Sequence, residues 1–193
     1  DLYYEPLLSP HPDGTYDIST DFLDKIFRAP LWVSSMTGGT EKAKLLNTNL
    51  AKVANEFGFG MGLGSCRPLL ESYNRKEDFD LRDIIGEQAF YINLGIAQLE
   101  NLISNNEVFK VQKICDDLHA DGLIIHVNPL QEWAQPEGDR FIKAPLDTIK
   151  SILKQLNVNI IVKEVGQGFG PNSLISLMKL PIAAIDFAGF GGT

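Results

Sequence analysis

The sequence has no apolar run near the roughly 20 residues that span a bilayer, and only two of its 193 residues are cysteines. Cys66 and Cys115 stand apart, outside any CxxC or CxxH spacing. Neither a disulfide framework nor a zinc site is written in them, and two buried free thiols in a reducing compartment are the expectation. Basic residues are short as well: 17 Lys and Arg stand against 25 Asp and Glu, a formal net charge of −8. That balance argues against general nucleic-acid binding and against an anionic membrane surface, while leaving room for an anionic small molecule in a locally positive pocket. The opening residues are acidic and aromatic, unlike a secretory leader. A cytoplasmic globular protein is the expectation, and 44% hydrophobic with 22% charged residues suits one with a sizeable core.

What is present is a repeat of short apolar segments. "PLWVSSM", "FGMGLGS", "AFYINLG", "GLIIHVN", "NIIVKEVG" and "IAAIDFAG" read as six strands, apolar on both faces. Helical stripes fall between most of them: Leu46, Leu50, Val53 and Phe57; Val108, Val111, Ile114, Cys115 and Leu118; Leu146, Ile149, Ile152, Leu153 and Leu156. Pro145 and Pro171 suit first helical turns. Strand alternating with helix predicts α/β architecture with a parallel sheet. Residues 1–30 read as an N-terminal arm and small hairpin, and residues 31–193 as six βα units of a single domain. Polar side chains recur at the C-terminal ends of all six strands, which a (β/α)8 barrel explains better than a doubly wound sheet, because a barrel gathers those ends around one mouth. Eight such units take about 250 residues. The barrel is therefore expected to be incomplete, with strands seven and eight missing.

Four stretches carry chemistry. "SSMTGGT" (34–40) puts two glycines before a helix start, where backbone N–H groups can approach a flat or anionic ligand; a plain Gly-rich turn capped by Thr40 explains it equally. "GFGMGLGSCR" (58–67) has alternate glycines inside a strand, unlike the dinucleotide fingerprint, so something large lies against one face, either neighbouring chain or a planar ligand. Ser65 and Arg67 after it offer a hydroxyl and a guanidinium to a phosphate, although a surface ion pair is the commoner fate of an isolated Arg. "IIVKEVGQG" (160–168) places Lys163 and Glu164 on opposite faces of a buried strand, so one of them points inward. An inward Lys163 needs an anion: a bound ligand, an acid such as Asp186, or Schiff-base chemistry. "HVNPLQEWAQPEGD" (126–139) ends an apolar strand in His126 and Asn128, then places Gln131 and Glu132 on a loop above the mouth. Glu132 suits a hard cation such as Mg2+, which takes one or two carboxylates plus substrate phosphates. His126 is a phosphate donor, a general acid or base, or a satisfied core histidine, and Glu137 and Asp139 read as turn residues, with a second metal ligand as the alternative.

Taken in order, "MTGGT", "GLGSCR", "NLG", "HVNPLQEWAQPEGD", "IVKEVG" and "DFAGFGGT" resemble the type 2, flavin-dependent isopentenyl-diphosphate isomerases over most of residues 30–193. The resemblance implies a (β/α)8 barrel that binds FMN and Mg2+. Such a barrel interconverts isopentenyl and dimethylallyl diphosphate on reduced FMN, with NADPH or NADH as reductant and a tetramer or octamer as the assembly. Carried over residue by residue, Ser35, Met36, Thr37, Ser65, Asn93, Lys163 and Thr193 would line FMN. Ser65, Cys66, Arg67, His126, Asn128 and Gln131 would hold the substrate, His126 and Gln131 nearest the chemistry, and Glu132 would ligate Mg2+. The departures are Cys66, where the family commonly has Gln, and the absence of an N-terminal Arg-Lys pair and of the phosphate-binding loops after strands seven and eight. Two other classes stay open: an FMN-dependent barrel oxidoreductase of the hydroxy-acid oxidase or dihydroorotate dehydrogenase sort, and a non-catalytic truncated barrel acting as a scaffold.

Overall fold

A computed structural model describes residues 7–8, 10–11, 14, 16–35 and 42–189. A two-stranded antiparallel hairpin, β1 (Thr20–Phe22) and β2 (Lys25–Phe27), comes first. Its two-residue turn, Leu23 and Asp24, has both φ angles positive (55° and 58°), as a hairpin turn matched to strand twist requires. Six strands follow: β3 (Trp32–Val33), β4 (Gly60–Ser65), β5 (Phe90–Gly95), β6 (Gly122–Val127), β7 (Asn159–Glu164) and β8 (Ala184–Asp186). They form one wholly parallel sheet in simple sequential order, a curled half-barrel. These are the six strand segments of the sequence, each pairing with its successor.

The helices are α1 (Ala43–Phe57), α2 (Arg67–Glu71), α3 (Arg82–Ile85), α4 (Ile96–Ser104), α5 (Phe109–Asp117), α6 (Pro129–Ala134), α7 (Pro145–Leu153) and α8 (Pro171–Leu177). A 3-10 turn, Tyr73–Asp78, separates α2 from α3, so the segment 71–85 is helical only in short pieces. The convex face of the sheet packs on the helices through Leu63, Ile92, Leu94, Leu123, Ile125 and Val162, all fully buried. Two expected stripes, Val108 to Leu118 and Leu146 to Leu156, lie on that core. The first stripe does so only through Leu50. On α1 the buried residues are Ala43, Asn47, Ala51 and Ala54, while Leu46, Val53 and Phe57 are exposed. Small residues let this helix come close to the sheet, and close approach outweighs side-chain size.

The concave face carries a second cluster: Phe27, Ala89, Tyr91, Ile124 and Ile161. Phe27 stacks on Trp32 with ring centroids 6.1 Å apart, and Trp32 meets Tyr91 edge-on at 5.9 Å. The hairpin thus plugs the N-terminal end of the half-barrel. This explains two of the alternate glycines without a ligand. A Cβ at Gly60 would come within 2.2 Å of the Trp32 ring, and one at Gly62 within 2.3 Å of the Ser35 hydroxyl. Arg82 ties the same end together, donating to Asp121 and to the carbonyls of Gly86, Gln88 and His119. Among the described residues no helix is long and apolar enough to cross a membrane.

Candidate active site

Strand alternation sends Leu123, Ile125 and Val127 to the helices and Ile124 and His126 to the concave side. The same rule puts Asn93, His126 and Lys163 together at the C-terminal ends of β5, β6 and β7. His126 pairs in register with Gly95 on one side and Lys163 on the other. Its Nδ1 lies 2.9 Å from Asn93 Oδ1. With a carbonyl oxygen facing it, Nδ1 is assigned the proton and Nε2 is left as an acceptor. Burial, and secondarily the Lys163 ammonium, lowers the His126 pKa to about 4, so the ring is neutral near pH 7. Gly95 makes room for this arrangement: a Cβ there would meet Gln98 Oε1 at 2.2 Å and His126 Nε2 at 2.7 Å.

Lys163 is 5% exposed and its Nζ donates to the carbonyl of Glu164 at 2.8 Å. It forms no ion pair among the described residues, and Asp186 accepts instead from the N–H of Ala188. The Lys163–Asp186 pair considered from sequence is therefore not formed. Glu164 is the outward residue of the two, and its Oε2 accepts the N–H groups of Gly166, Gln167 and Gly168, each at 2.7 Å. Its carboxylate shapes the turn after β7. A cavity of about 510 Å3 beside it, lined by Val127, Leu130, Ile149, Phe169 and Leu177, opens on the helix side of the sheet and contains none of His126, Lys163 or Glu132.

Gln131 and Glu132 lie on α6 and not on an open loop, because Pro129 ends β6 and at once occupies the first helical position. Asn128, 5% exposed, donates its Nδ2 to Gln131 Oε1 at 3.1 Å and to Glu132 Oε1 at 3.0 Å; its own Oδ1 is buried with no partner among the described residues. Two side-chain oxygens thus converge on one donor. Glu132 Oε2 accepts the N–H of Asp139 at 2.6 Å. Arg67, half-exposed at the start of α2, reaches Asp139 Oδ2 with Nη1 at 3.2 Å and Glu71 with Nε at 3.7 Å. The ion pair expected for an isolated Arg is therefore present, and its chief acid is a residue read from sequence as part of a turn. Ser65 Oγ lies 3.4 Å from the Arg67 N–H. Cys66 is fully buried and burial pushes its thiol up to about 12, so it packs and does not react. Cys115 is likewise buried and free.

Met36, Thr37, Thr193 and the glycines of "MTGGT" fall outside the described residues. Ser35 is within them, 9% exposed, and its Oγ has no partner among them. Sequence reasoning missed Gln98 and the spatial need for Gly95, and it read Asp139 as a turn residue or second metal ligand where the structure makes it the acceptor of Arg67 and Gln98. Gly95 was visible in "NLG", but the partners of Asp139 stand 72 and 41 residues away and leave no local signal.

The donor set fits the groups the resemblance implies. A buried ammonium partnered only by a carbonyl among the described residues suits an anionic ring or phosphate, and the Ser35 hydroxyl, without a partner among them, suits a polar ligand atom. No group of three or more His, Cys, Asp and Glu that could hold a metal is present among the described residues. The Glu132 carboxylate and the Gln131 side-chain oxygen beside it are hard oxygen donors of the kind Mg2+ takes together with substrate phosphates.

No protein-family model matches the chain. The isopentenyl-diphosphate delta-isomerase of Rickettsia akari (strain Hartford) is 41% identical over 185 residues, covering 94% of this chain and 53% of that protein. The protein of that name from a Synechococcus strain is 41% identical over 177 residues, covering 92% and 50%. The chain thus spans about half the length of the curated relatives it matches. Among solved structures, a mandelate oxidase variant carrying a monooxide FMN adduct superposes with a TM-score of 0.56 at 12% identity, over 87% of this chain and 49% of that one. Mandelate oxidase with a difluoro-hydroxy-phenylpropionic acid gives 0.55 at 13% identity, over 87% and 50%. At such identity the likeness concerns the fold alone. Over the stretch it spans, the chain is similar to proteins named isopentenyl-diphosphate delta-isomerase, on an α/β half-barrel shared with mandelate oxidase.

Proposed function

We propose that the intact protein is an isopentenyl-diphosphate delta-isomerase of the FMN- and Mg2+-dependent type, with NADPH or NADH as the reductant that readies the flavin. The observation that carries this reading is a meeting of groups at one strand-end mouth. Lys163 brings a buried ammonium with no counter-ion among the described residues, His126 a neutral ring, and Gln131 and Glu132 two side-chain oxygens gathered on Asn128 Nδ2. The names of the 41%-identical relatives support the substrate, and the fold of an oxidase solved with an FMN adduct supports the flavin.

Isomerisation adds a proton at one carbon of the isoprenyl unit and removes one from another, with cationic character between. Reduced flavin, when bound, supplies an electron-rich acid–base centre beside that carbon. The chain's own residues do the rest. Lys163 would balance the negative charge of a reduced ring, and Ser35 and Asn93 would offer it polar contacts. Glu132 would hold Mg2+ and Arg67 would take up diphosphate charge, which would fix the tail in place. His126 offers Nε2; a phosphate oxygen arriving there favours protonation, turning an acceptor into a charge-assisted donor. Gln131 contacts the substrate beside the metal.

The oxidase-like fold favours a second reading, an FMN-dependent hydroxy-acid oxidoreductase. It shares the flavin-side lysine but has no need of a carboxylate such as Glu132 poised for a hard cation. Incubating the full-length protein with FMN, NADPH, Mg2+ and isopentenyl diphosphate separates the two. Dimethylallyl diphosphate in the product mixture upholds the isomerase, whereas flavin reduction by a hydroxy acid with no isomerisation upholds the oxidoreductase.

A further inference from the structure

We propose that Asp139 is a positioning residue that ties the diphosphate-binding arginine and the metal-binding carboxylate into one rigid unit. The inference rests on the isomerase reading of Arg67 and Glu132. Asp139 Oδ2 accepts Gln98 Nε2 at 2.7 Å and Arg67 Nη1 at 3.2 Å, and the Asp139 N–H donates to Glu132 Oε2 at 2.6 Å. Those three partners follow β5, β4 and β6, so one residue joins three successive strand-to-helix connections across the mouth.

The turn that carries Asp139 is held from behind as well. The Arg140 guanidinium donates to the carbonyls of Glu132, Trp133 and Gly138, and lies over the Trp133 ring 5.1 Å from its centroid. Gly138 lets the turn close on α6, since a Cβ there would meet the Glu132 carbonyl oxygen at 2.0 Å. Asp139 is thereby a fixed acceptor, and a fixed acceptor orients a mobile arginine. Arg67 uses Nη1 for Asp139 and Nε for Glu71, and Nη2 has no partner among the described residues. The guanidinium keeps Nη2 for an anion while Nη1 and Nε are held by the two acids. Because Arg67 is half-exposed, the pair contributes little to stability, and its effect is on orientation.

The test uses the full-length, FMN-loaded protein and its Asp139→Asn variant, which keeps the backbone donor to Glu132 and loses the charged acceptor. Inorganic pyrophosphate with Mg2+ is the binding probe, by calorimetry, alongside kcat and KM for isopentenyl diphosphate. Pyrophosphate affinity is expected to fall about tenfold, with KM rising in step, kcat within about twofold of wild type and the flavin spectrum unchanged. Gln98→Leu, which frees the same carboxylate oxygen, is expected to give a smaller loss in the same direction. Unchanged or tighter pyrophosphate binding in both variants overturns the proposal, as does a loss of kcat with KM unaltered. Wild-type protein that binds Mg-pyrophosphate but isomerises nothing refutes the isomerase reading and leaves the test of Asp139 in force. Wild-type protein that binds no Mg-pyrophosphate overturns both.

Discussion

Asn93 Oδ1 and His126 Nδ1 meet 2.9 Å apart across neighbouring strands, and that contact sets which ring nitrogen faces the mouth. The same burial gives a pH signature. The folded-state pKa of His126, about 4, lies below its ordinary 6.5, so the unfolded chain binds the extra proton first as pH falls. The His126 contribution to stability is expected to be undiminished above pH 6.5 and to drop by about 1.4 kcal/mol per pH unit from there down to about pH 4. Urea denaturation of the full-length protein at about pH 7.5 and about pH 5.5 measures the difference, and His126→Gln is expected to flatten it.

Gly95→Ala places a methyl against Gln98 Oε1 and His126 Nε2. Both side chains belong to the mouth, so the ring must turn away from Asn93. Isomerase activity is expected to fall at least about tenfold, with a destabilisation of about 1–3 kcal/mol. Wild-type turnover in this variant would contradict the placement of His126.

Lys163 is a buried cation with no counter-ion among the described residues, an arrangement that burdens the flavin-free fold. Lys163→Met is expected to raise the stability of flavin-free protein by about 1–3 kcal/mol while weakening flavin retention and activity. Thermal unfolding before and after flavin removal reads both signs; a variant less stable in the absence of flavin would show that Lys163 serves the fold.

Glu132→Gln exchanges one carboxylate oxygen for a donor facing Asn128 Nδ2 or the Asp139 N–H. Mg2+ dependence is expected to vanish and kcat/KM to fall by about a hundredfold or more, with flavin binding intact. Mg2+ titration monitored by activity and by flavin absorbance checks the two halves separately.

The strands and the polar mouth were legible because buried parallel strands leave a simple mark: short apolar runs ending in His126, Asn93 and Lys163. The hidden parts depend on distance. Nothing near Asp139 marks it as the acceptor for Arg67 and Gln98, and the turn chemistry of "QPEGD" alone fits a plain loop. The α1 face misleads for another reason. Periodicity selects the largest apolar residues, Leu46, Val53 and Phe57, but the face that packs carries Ala43, Asn47, Ala51 and Ala54 instead. Gln131 and Glu132 read as loop residues because Pro129 marks the end of a strand as readily as the start of a helix.

The most direct test of the central claim is isotopic. Full-length protein with reduced FMN and Mg2+ is incubated with isopentenyl diphosphate in deuterium oxide, and the products are followed by NMR. Proton addition and removal at carbon predict dimethylallyl diphosphate carrying solvent deuterium in a methyl group. Isopentenyl diphosphate recovered unchanged and unlabelled from flavin-loaded protein would contradict the account.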